Sequence, residues 1–432
     1  MKKLSVVLTL VLTAYMSWSC TIFSAQDNHG QMWTGNNEDF YWYNFSTHLK
    51  IVTKTDSSLA YFFFDYPGNN FPQGGSNEAG LFFDANLIEA SEIRNISNKK
   101  AFPGSSSDMM FHMLGRCTSV IEAVDFFDTY ALSEIKNAQI HLADKQGNKG
   151  IITADSSWVT RDKFQVSTNY NLCHKDDDYK KCWRYPIATS ILNNVEPSFE
   201  VFSSICDSTA QRLGAFTIYS NVHNLSTGEM WLYYAWDYDT PYKTSFDSLT
   251  ELGDTTILLR DFFPKQPVIQ AYNKYRSSGF QSCLKELSTI NDVVSRKEKL
   301  KLISLDALFS FDTLLRTGKI KATQDDKLIS EIIDASDDKE ILMLITNQEV
   351  SQRNRELAKK KLRRFQKSQS DEIMIWLIVM SIGISAFLAF AFKRKMKRQL
   401  TNDMSAGRSV GKGSSRVFGR LVDCAMRLIV NQ

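Results

Sequence analysis

The chain lacks a metal-binding pattern: its seven cysteines include no CxxC pair and its six histidines form no cluster beside them, which excludes a zinc site of the usual spacing. Net charge is also nearly absent. The 51 Lys and Arg against 48 Asp and Glu leave a formal +3, with much of the basic excess in the C-terminal quarter, so no nucleic-acid partner is implied. No motif for an organic cofactor or a metal ion occurs. What the composition does contain, 43% hydrophobic and 23% charged residues over 432 positions, is that of a folded protein with a sizeable core and two or three domains.

The N-terminus has the three parts of a secretory signal. Lys2 and Lys3 form a positive region, residues 4–15 an apolar one, and Ser17-Trp18-Ser19 puts small residues three and one positions before Cys20. Cleavage of segment 1–19 makes Cys20 residue one. A cysteine with a free α-amino group carries nucleophile and base together, with a thiol of pKa about 8.5 and an amine of about 8. The thiolate attacks an acyl carbon while the amine takes the thiol proton and later returns it to the leaving group. Two other readings of Cys20 stay open, a lipoprotein cysteine and a structural one. Ser17 and Trp18 fit the lipid pattern poorly, and a lipid on the amine removes the base.

Residues 20–255 read as strand-rich. Alternating or short apolar runs occur at 49–53, 60–64, 80–84, 139–143, 150–154, 164–167, 216–221 and 229–236, with turn chemistry at 27–30, 74–77, 145–148 and 224–228. Helical spacing predicts one helix over 106–117 and a second over 119–130, the latter opened by a capping box from Ser119 and Glu122. The pattern predicts one α+β domain with large antiparallel sheets. Residues 256–370 change to helical spacing, with Leu302, Leu305, Leu308 and Phe309 on one helix and Ile329, Ile332 and Ile333 on another, and carry no catalytic constellation. They read as a spacer or docking module. A disulfide between Cys173 and Cys182, or two free thiols, are both compatible with the spacing.

Residues 373–392 are a run of 20 without a charge, long enough to cross a bilayer. The export signal then places the catalytic domain outside the cytoplasm, periplasmic or extracellular, and the basic tail 393–432 inside, making a single-pass membrane protein. Within that tail, apolar residues interspersed with Arg416, Arg420 and Arg427 predict a short amphipathic helix on the membrane surface, or a site for a tail-docked partner.

Several spaced segments carry a family resemblance. Cys20-Thr21 followed by Gly35-Asn36-Asn37-Glu38-Asp39-Phe40, then Gly75-Ser76-Asn77-Glu78-Ala79-Gly80-Leu81, His141-Leu142-Ala143-Asp144, Val166-Ser167-Thr168-Asn169-Tyr170 and Trp183-Arg184-Tyr185, together resemble the cholylglycine hydrolases. That family of N-terminal nucleophile hydrolases includes penicillin V acylases, conjugated bile-salt hydrolases and, more distantly, acid ceramidase. The resemblance implies a four-layered αββα fold and hydrolysis of a linear amide C–N bond. It also implies roles: Cys20 as nucleophile, Asp39 holding its α-amine, the Asn86 backbone amide and the Asn169 side chain as oxyanion donors, and Arg184 as a site cation. Asn36 stands where the family usually has an arginine that favours the thiolate and touches substrate, so a substrate-binding role falls to Asn36, and Arg184 is left to supply the charge.

The sequence therefore reads as a membrane-anchored, exported amidase acting on a small N-acylated molecule, needing no metal or cofactor. An acyltransferase on the same fold and a non-catalytic membrane-anchored docking protein are the alternatives.

Overall fold

The computed structural model describes residues 20–40, 45–66, 71–91, 99–132, 135–173, 182–213, 215–309, 323–365 and 367. The expected signal segment 1–19, membrane helix 373–392 and tail 393–432 lie outside them, and no helix among the described residues is long and apolar enough to cross a membrane. The described residues up to Ala358 form one compact unit.

Two antiparallel sheets lie at its centre. Their strands are β1 (Thr21–Gln26), β2 (Met32–Phe40), β3 (His48–Val52), β4 (Tyr61–Asp65), β5 (Gly74–Asn77), β6 (Leu81–Leu87), β7 (Ala138–Asp144), β8 (Lys149–Ile152), β9 (Ser157–Thr160), β10 (Phe164–Ser167), β11 (Arg212–Leu213), β12 (Ala215–Asn224), β13 (Glu229–Tyr234), β14 (Asp237–Ser245) and β15 (Thr255–Leu258). The seven-stranded sheet runs β10-β1-β2-β12-β13-β14 with β11 on β12, and the eight-stranded sheet runs β15-β3-β4-β5-β6-β7-β8-β9. The helices are α1 (Ser106–Arg116), α2 (Val120–Thr129), α3 (Arg184–Asn194), α4 (Phe199–Thr209), the short α5 (Phe246–Thr250), α6 (Pro267–Ser278), α7 (Phe280–Leu287), α8 (Val293–Leu308), α9 (Asp326–Ala335) and α10 (Lys339–Asn347).

The period-two alternation of the strands decides the layering. On β1, Phe23 and Ala25 pack with Phe202 and Ile205 of α4 and Ala188 and Leu192 of α3. Ile22 points the other way, to Phe82 and Ala143 of the second sheet. On that sheet Tyr61, Phe63, Leu81, Phe83, Ile140 and Leu142 face Met110, Met113, Val120 and Phe127 of α1 and α2. Each such side chain taken out of water stabilises by about 1.5–3 kcal/mol. The result is helix, sheet, sheet, helix, the four-layered α+β arrangement expected.

Two local expectations are corrected. Residues 74–77 form strand β5 rather than a turn. Their glycines answer to close packing, since a Cβ on Gly74 would strike the Asp84 carboxylate and one on Gly75 the Phe62 carbonyl; the turn itself follows, at Gly80 with φ 79°. The capping box sits on α1, where Ser105 and Asp108 bond reciprocally. At α2 only half of it forms: Ser119 accepts from the Glu122 amide, but the Glu122 carboxylate takes the Thr118 N–H at 2.7 Å. All six described cysteines are unpaired, Cys173 and Cys182 included.

The helical region grips the central strands. Arg260 Nη1 donates to the Phe45 carbonyl at 2.7 Å, the Tyr272 ring stacks on Phe45 with centroids 4.1 Å apart, and Lys301 Nζ lies 5.1 Å from the Phe216 ring centre. Phe45 follows β2, and Phe216 is on β12 beside Thr217. We expect a chain ending at Pro264, which deletes Tyr272 and Lys301, to unfold at a denaturant midpoint lower by several kcal/mol equivalent, roughly the cost of exposing two or three buried aromatic contacts. An unchanged urea midpoint and unchanged activity would show the bracing to be idle.

Candidate active site

Strand β2 is buried along its whole length although it includes Asn36, Asn37, Glu38 and Asp39. Buried polar groups require partners, and alternation sends them to two different faces. Asn37 and Asp39 point to the helix layer: Asn37 Nδ2 donates to the Cys206 carbonyl at 2.8 Å, and Asp39 accepts from Gln211 Nε2 at 2.8 Å and from Thr217 Oγ1. Asn36 and Glu38 point to the second sheet. Asn36 Nδ2 donates to Asp84 Oδ2, and Asn36 Oδ1 accepts from Asn221 Nδ2 at 2.7 Å.

Cys20 lies at the head of β1, whose Thr21 is opposite Asn37 of β2. That register brings the thiol to Glu38, to which Sγ donates over 3.4 Å, with the Asp39 carbonyl at 3.8 Å. The Cys20 side is only 6% exposed. Its carbonyl accepts two hydrogen bonds, from Asn86 Nδ2 at 3.1 Å and from Arg184 Nη1 at 2.9 Å.

Arg184, the first residue of α3, is the hub. The same Nη1 reaches Thr21 Oγ1 at 2.8 Å and Asp39 Oδ2 at 3.3 Å, while Nη2 donates to Asn169 Oδ1 at 3.1 Å. Asn169 follows β10, which pairs with β1, and its Nδ2 also donates to the Leu87 carbonyl at 2.8 Å. An amide carries two N–H donors, so one remains beyond that bond. His141 ties the layers together beneath this cluster, its ring nitrogens meeting Ser24 Oγ at 2.8 Å and Ser167 Oγ at 2.9 Å.

Cys20, Asp39, Asn86, Asn169 and Arg184 are therefore brought together from five separate elements. Asn36 sits deeper, fully buried, with both ends of its amide held. Glu38, Tyr66, Gln211 and Thr217 complete the cluster and were not singled out from sequence. Glu38 was findable, because it lies two residues from Asn36 on the same strand face.

Burial dominates the electrostatics. It pushes the Cys20 thiol well above its ordinary value, helped by the charges of Glu38, Asp39 and Asp84. Burial lifts Glu38 to about 8, against hydrogen bonds from Tyr66 and Cys20. It lifts Asp39 to about 7, against the Arg184 charge and the bonds from Thr217 and Gln211. His141 and His223 go the other way, to about 3, again through burial.

A pH dependence of stability follows. Carboxyls raised above their ordinary value of about 4 contribute fully below that pH and lose the contribution as the pH rises through the folded value. The two histidines, lowered, lose theirs as pH falls below about 6.5 and are constant above it. Between about pH 6.5 and 7.5, below the range in which Lys149, lowered by burial to about 8, gives up its proton, the acids dominate, and we expect stability to fall by about 1 kcal/mol per pH unit for each group still titrating. Urea midpoints across that window measure it, and Glu38→Gln should flatten the slope; a rising midpoint would contradict the assignment.

No family model matches the sequence, and no curated protein sequence matches it. Solved structures do match in part. A penicillin V acylase from Agrobacterium tumefaciens is 16% identical over 55% of this chain and 90% of that one, with a TM-score of 0.42. The Caenorhabditis elegans ortholog of N-acylethanolamine-hydrolyzing acid amidase is 16% identical over 56% of this chain and 100% of that one, with a TM-score of 0.40. A conjugated bile acid hydrolase from Clostridium perfringens is 13% identical over 55% and 95%, with a TM-score of 0.39.

Proposed function

We propose that the chain is an amidase that hydrolyses a linear C–N amide bond in a small N-acylated molecule through a thioester on Cys20. The observation that carries this reading is the network that joins Cys20 to Asn86 and Arg184, and through Arg184 to Asn169 and Asp39, around a buried thiol.

In this reading the Cys20 sulfur attacks the acyl carbon, and the carbonyl oxygen gathers negative charge. The Asn169 amide is a neutral donor suited to that charge, worth about 3–4 kcal/mol in the transition state, while Asn86, whose backbone lies opposite Gln139 in the β6–β7 ladder, holds the Cys20 carbonyl through its side chain. Arg184 holds Asn169 in place through Oδ1 and neutralises Asp39. The thioester then passes its acyl group to water. With segment 1–19 removed, the Cys20 amine is free beside the thiol, and in this reading Asp39, which shares Arg184 Nη1 with Cys20's neighbour Thr21, orients it.

Segment 1–19 and helix 373–392 complete the proposal as export signal and anchor, holding the catalytic unit outside the cytoplasm. The test is turnover of an N-acyl aminocoumarin by the full chain in detergent, together with the mass of its mature N-terminus. Release of coumarin and free acid from a chain that begins at Cys20 with an unblocked amine is the expected result. A diacylglyceryl or N-acyl group on Cys20, or no release across acyl chains of different length, would overturn it.

A further inference from the structure

Asn36 leaves the inner side of the site without the positive charge that would favour a thiolate, and the group that touches the sulfur is instead a carboxyl. Cys20 Sγ lies 3.4 Å from Glu38 Oε2, and Tyr66 donates its hydroxyl to the other oxygen, Oε1, at 3.0 Å. Glu38 is 3% exposed and Tyr66 2%. A buried acid of this kind is costly to keep, and one set against a nucleophile marks a functional position.

We propose that Glu38 is a second catalytic group, taking the Cys20 thiol proton in place of the α-amine and delivering it to the leaving nitrogen. This rests on the amidase reading. The thiol S–H breaks as the proton passes to Glu38 Oε2 and the sulfur pair forms the C–S bond, leaving a tetrahedral oxyanion. Collapse breaks C–N, and the nitrogen takes the proton from Glu38 and departs as amine. In the second half Glu38 takes a proton from water, the hydroxide forms the C–O bond, C–S breaks, and the proton returns to sulfur. Glu38 ends as it began, and no co-reactant beyond water is consumed.

The groups facing Glu38 fit a carboxyl that exchanges a proton near neutrality. Tyr66 after β4 hydrogen-bonds its carboxylate form and lowers its basicity, while burial and Asp39 on its own strand raise it. Asp84 on β6 and Tyr219 on β12 sense its charge. Arg184 acts on the far face, through Asp39. A purely electrostatic Glu38 would do the reverse of what we propose: its negative charge raises the thiol, so neutralising it would make Cys20 more reactive.

That opposition in sign supplies the test. The full chain is alkylated with iodoacetamide from pH 6 to 9, and modification of the Cys20 peptide is followed by mass spectrometry, with the fully buried Cys206 and Cys283 as markers of intact folding. A general base accelerates by roughly a hundredfold or more in turnover, and for alkylation we expect Glu38→Gln to be slower than wild type by about tenfold at pH 8. Tyr66→Phe, which removes the bond that holds Glu38 down, should move the midpoint of the wild-type profile to higher pH. Glu38→Gln alkylated at least as fast as wild type with Cys206 and Cys283 protected, or a midpoint unmoved in Tyr66→Phe, would overturn the proposal. The readout uses no amide substrate, so a failure to cleave the coumarin probe counts against the amidase reading and not against proton transfer between Cys20 and Glu38.

Discussion

Cys20→Ser is expected to lower turnover of an N-acyl aminocoumarin by about a thousandfold or more, the scale of losing a nucleophile, while leaving the fold intact. Oxygen for sulfur is nearly isosteric, so the bonds to the Cys20 carbonyl from Asn86 and Arg184 survive. What changes is the proton. A serine hydroxyl is a far weaker nucleophile than a thiol near neutral pH, and in a site that already pushes the thiol upward it has almost no access to its anion. The measurement is kcat for both forms beside their far-ultraviolet circular dichroism. Undiminished kcat in a folded serine variant would place the chemistry on another residue.

The second large effect is expected at Asn169. Removing one oxyanion donor lowers kcat by about a hundredfold or more, so Asn169→Ala should fall by that amount with KM little changed. Asn169→Asp separates donation from packing. It keeps the oxygen that meets Arg184 Nη2 at 3.1 Å and gains an ion pair, yet it loses both N–H donors and adds a charge that repels the oxyanion. A role in positioning Arg184 alone would let the aspartate rescue the alanine. We expect it to be as inactive as the alanine, or more so.

The contrast between Asn36 and Glu38 shows where sequence reading reached and where it stopped. The short apolar or alternating runs on β3, β4, β6, β7, β8, β10, β12 and β13 were legible, and those strands and helices α1, α2, α8 and α9 stand where the patterns put them, whereas β2, β9, β14 and β15 gave no such run. The glycines at 74 and 75 were misread for a physical reason. Glycine serves turns and close approaches alike, and only the neighbouring strands show that Asp84 and Phe62 crowd these positions. The Glu122 side of the capping box lost to a competing donor, Thr118, which is equally local and equally polar.

The residues around Cys20 were legible from spaced motifs, Asp39, Asn169 and Arg184 lying inside quoted segments and Asn86 shortly after the one that ends at Leu81. Their mutual bonds were not. Arg184 reaches a carbonyl 164 positions away, and a pairing of that span depends on which strands are neighbours. Glu38 passed as an unremarkable residue between two motif positions, although its place on β2 puts it on the sulfur. The grip of the helical region was hidden for the same reason: helical spacing predicts Leu302, Leu305 and Leu308 on one face, but not that Arg260, 215 positions away, closes on Phe45.

The central claim is that Cys20 carries the acyl group. Mixing the full chain with an N-acyl aminocoumarin, quenching in acid during the first turnovers and measuring the mass of the peptide that begins at Cys20 addresses it directly. The account predicts an added mass equal to the acyl group on that peptide, lost on treatment with hydroxylamine and absent from Cys20→Ser. Continued coumarin release with the Cys20 peptide unmodified at every quench time, or the acyl mass found on another residue, would contradict it.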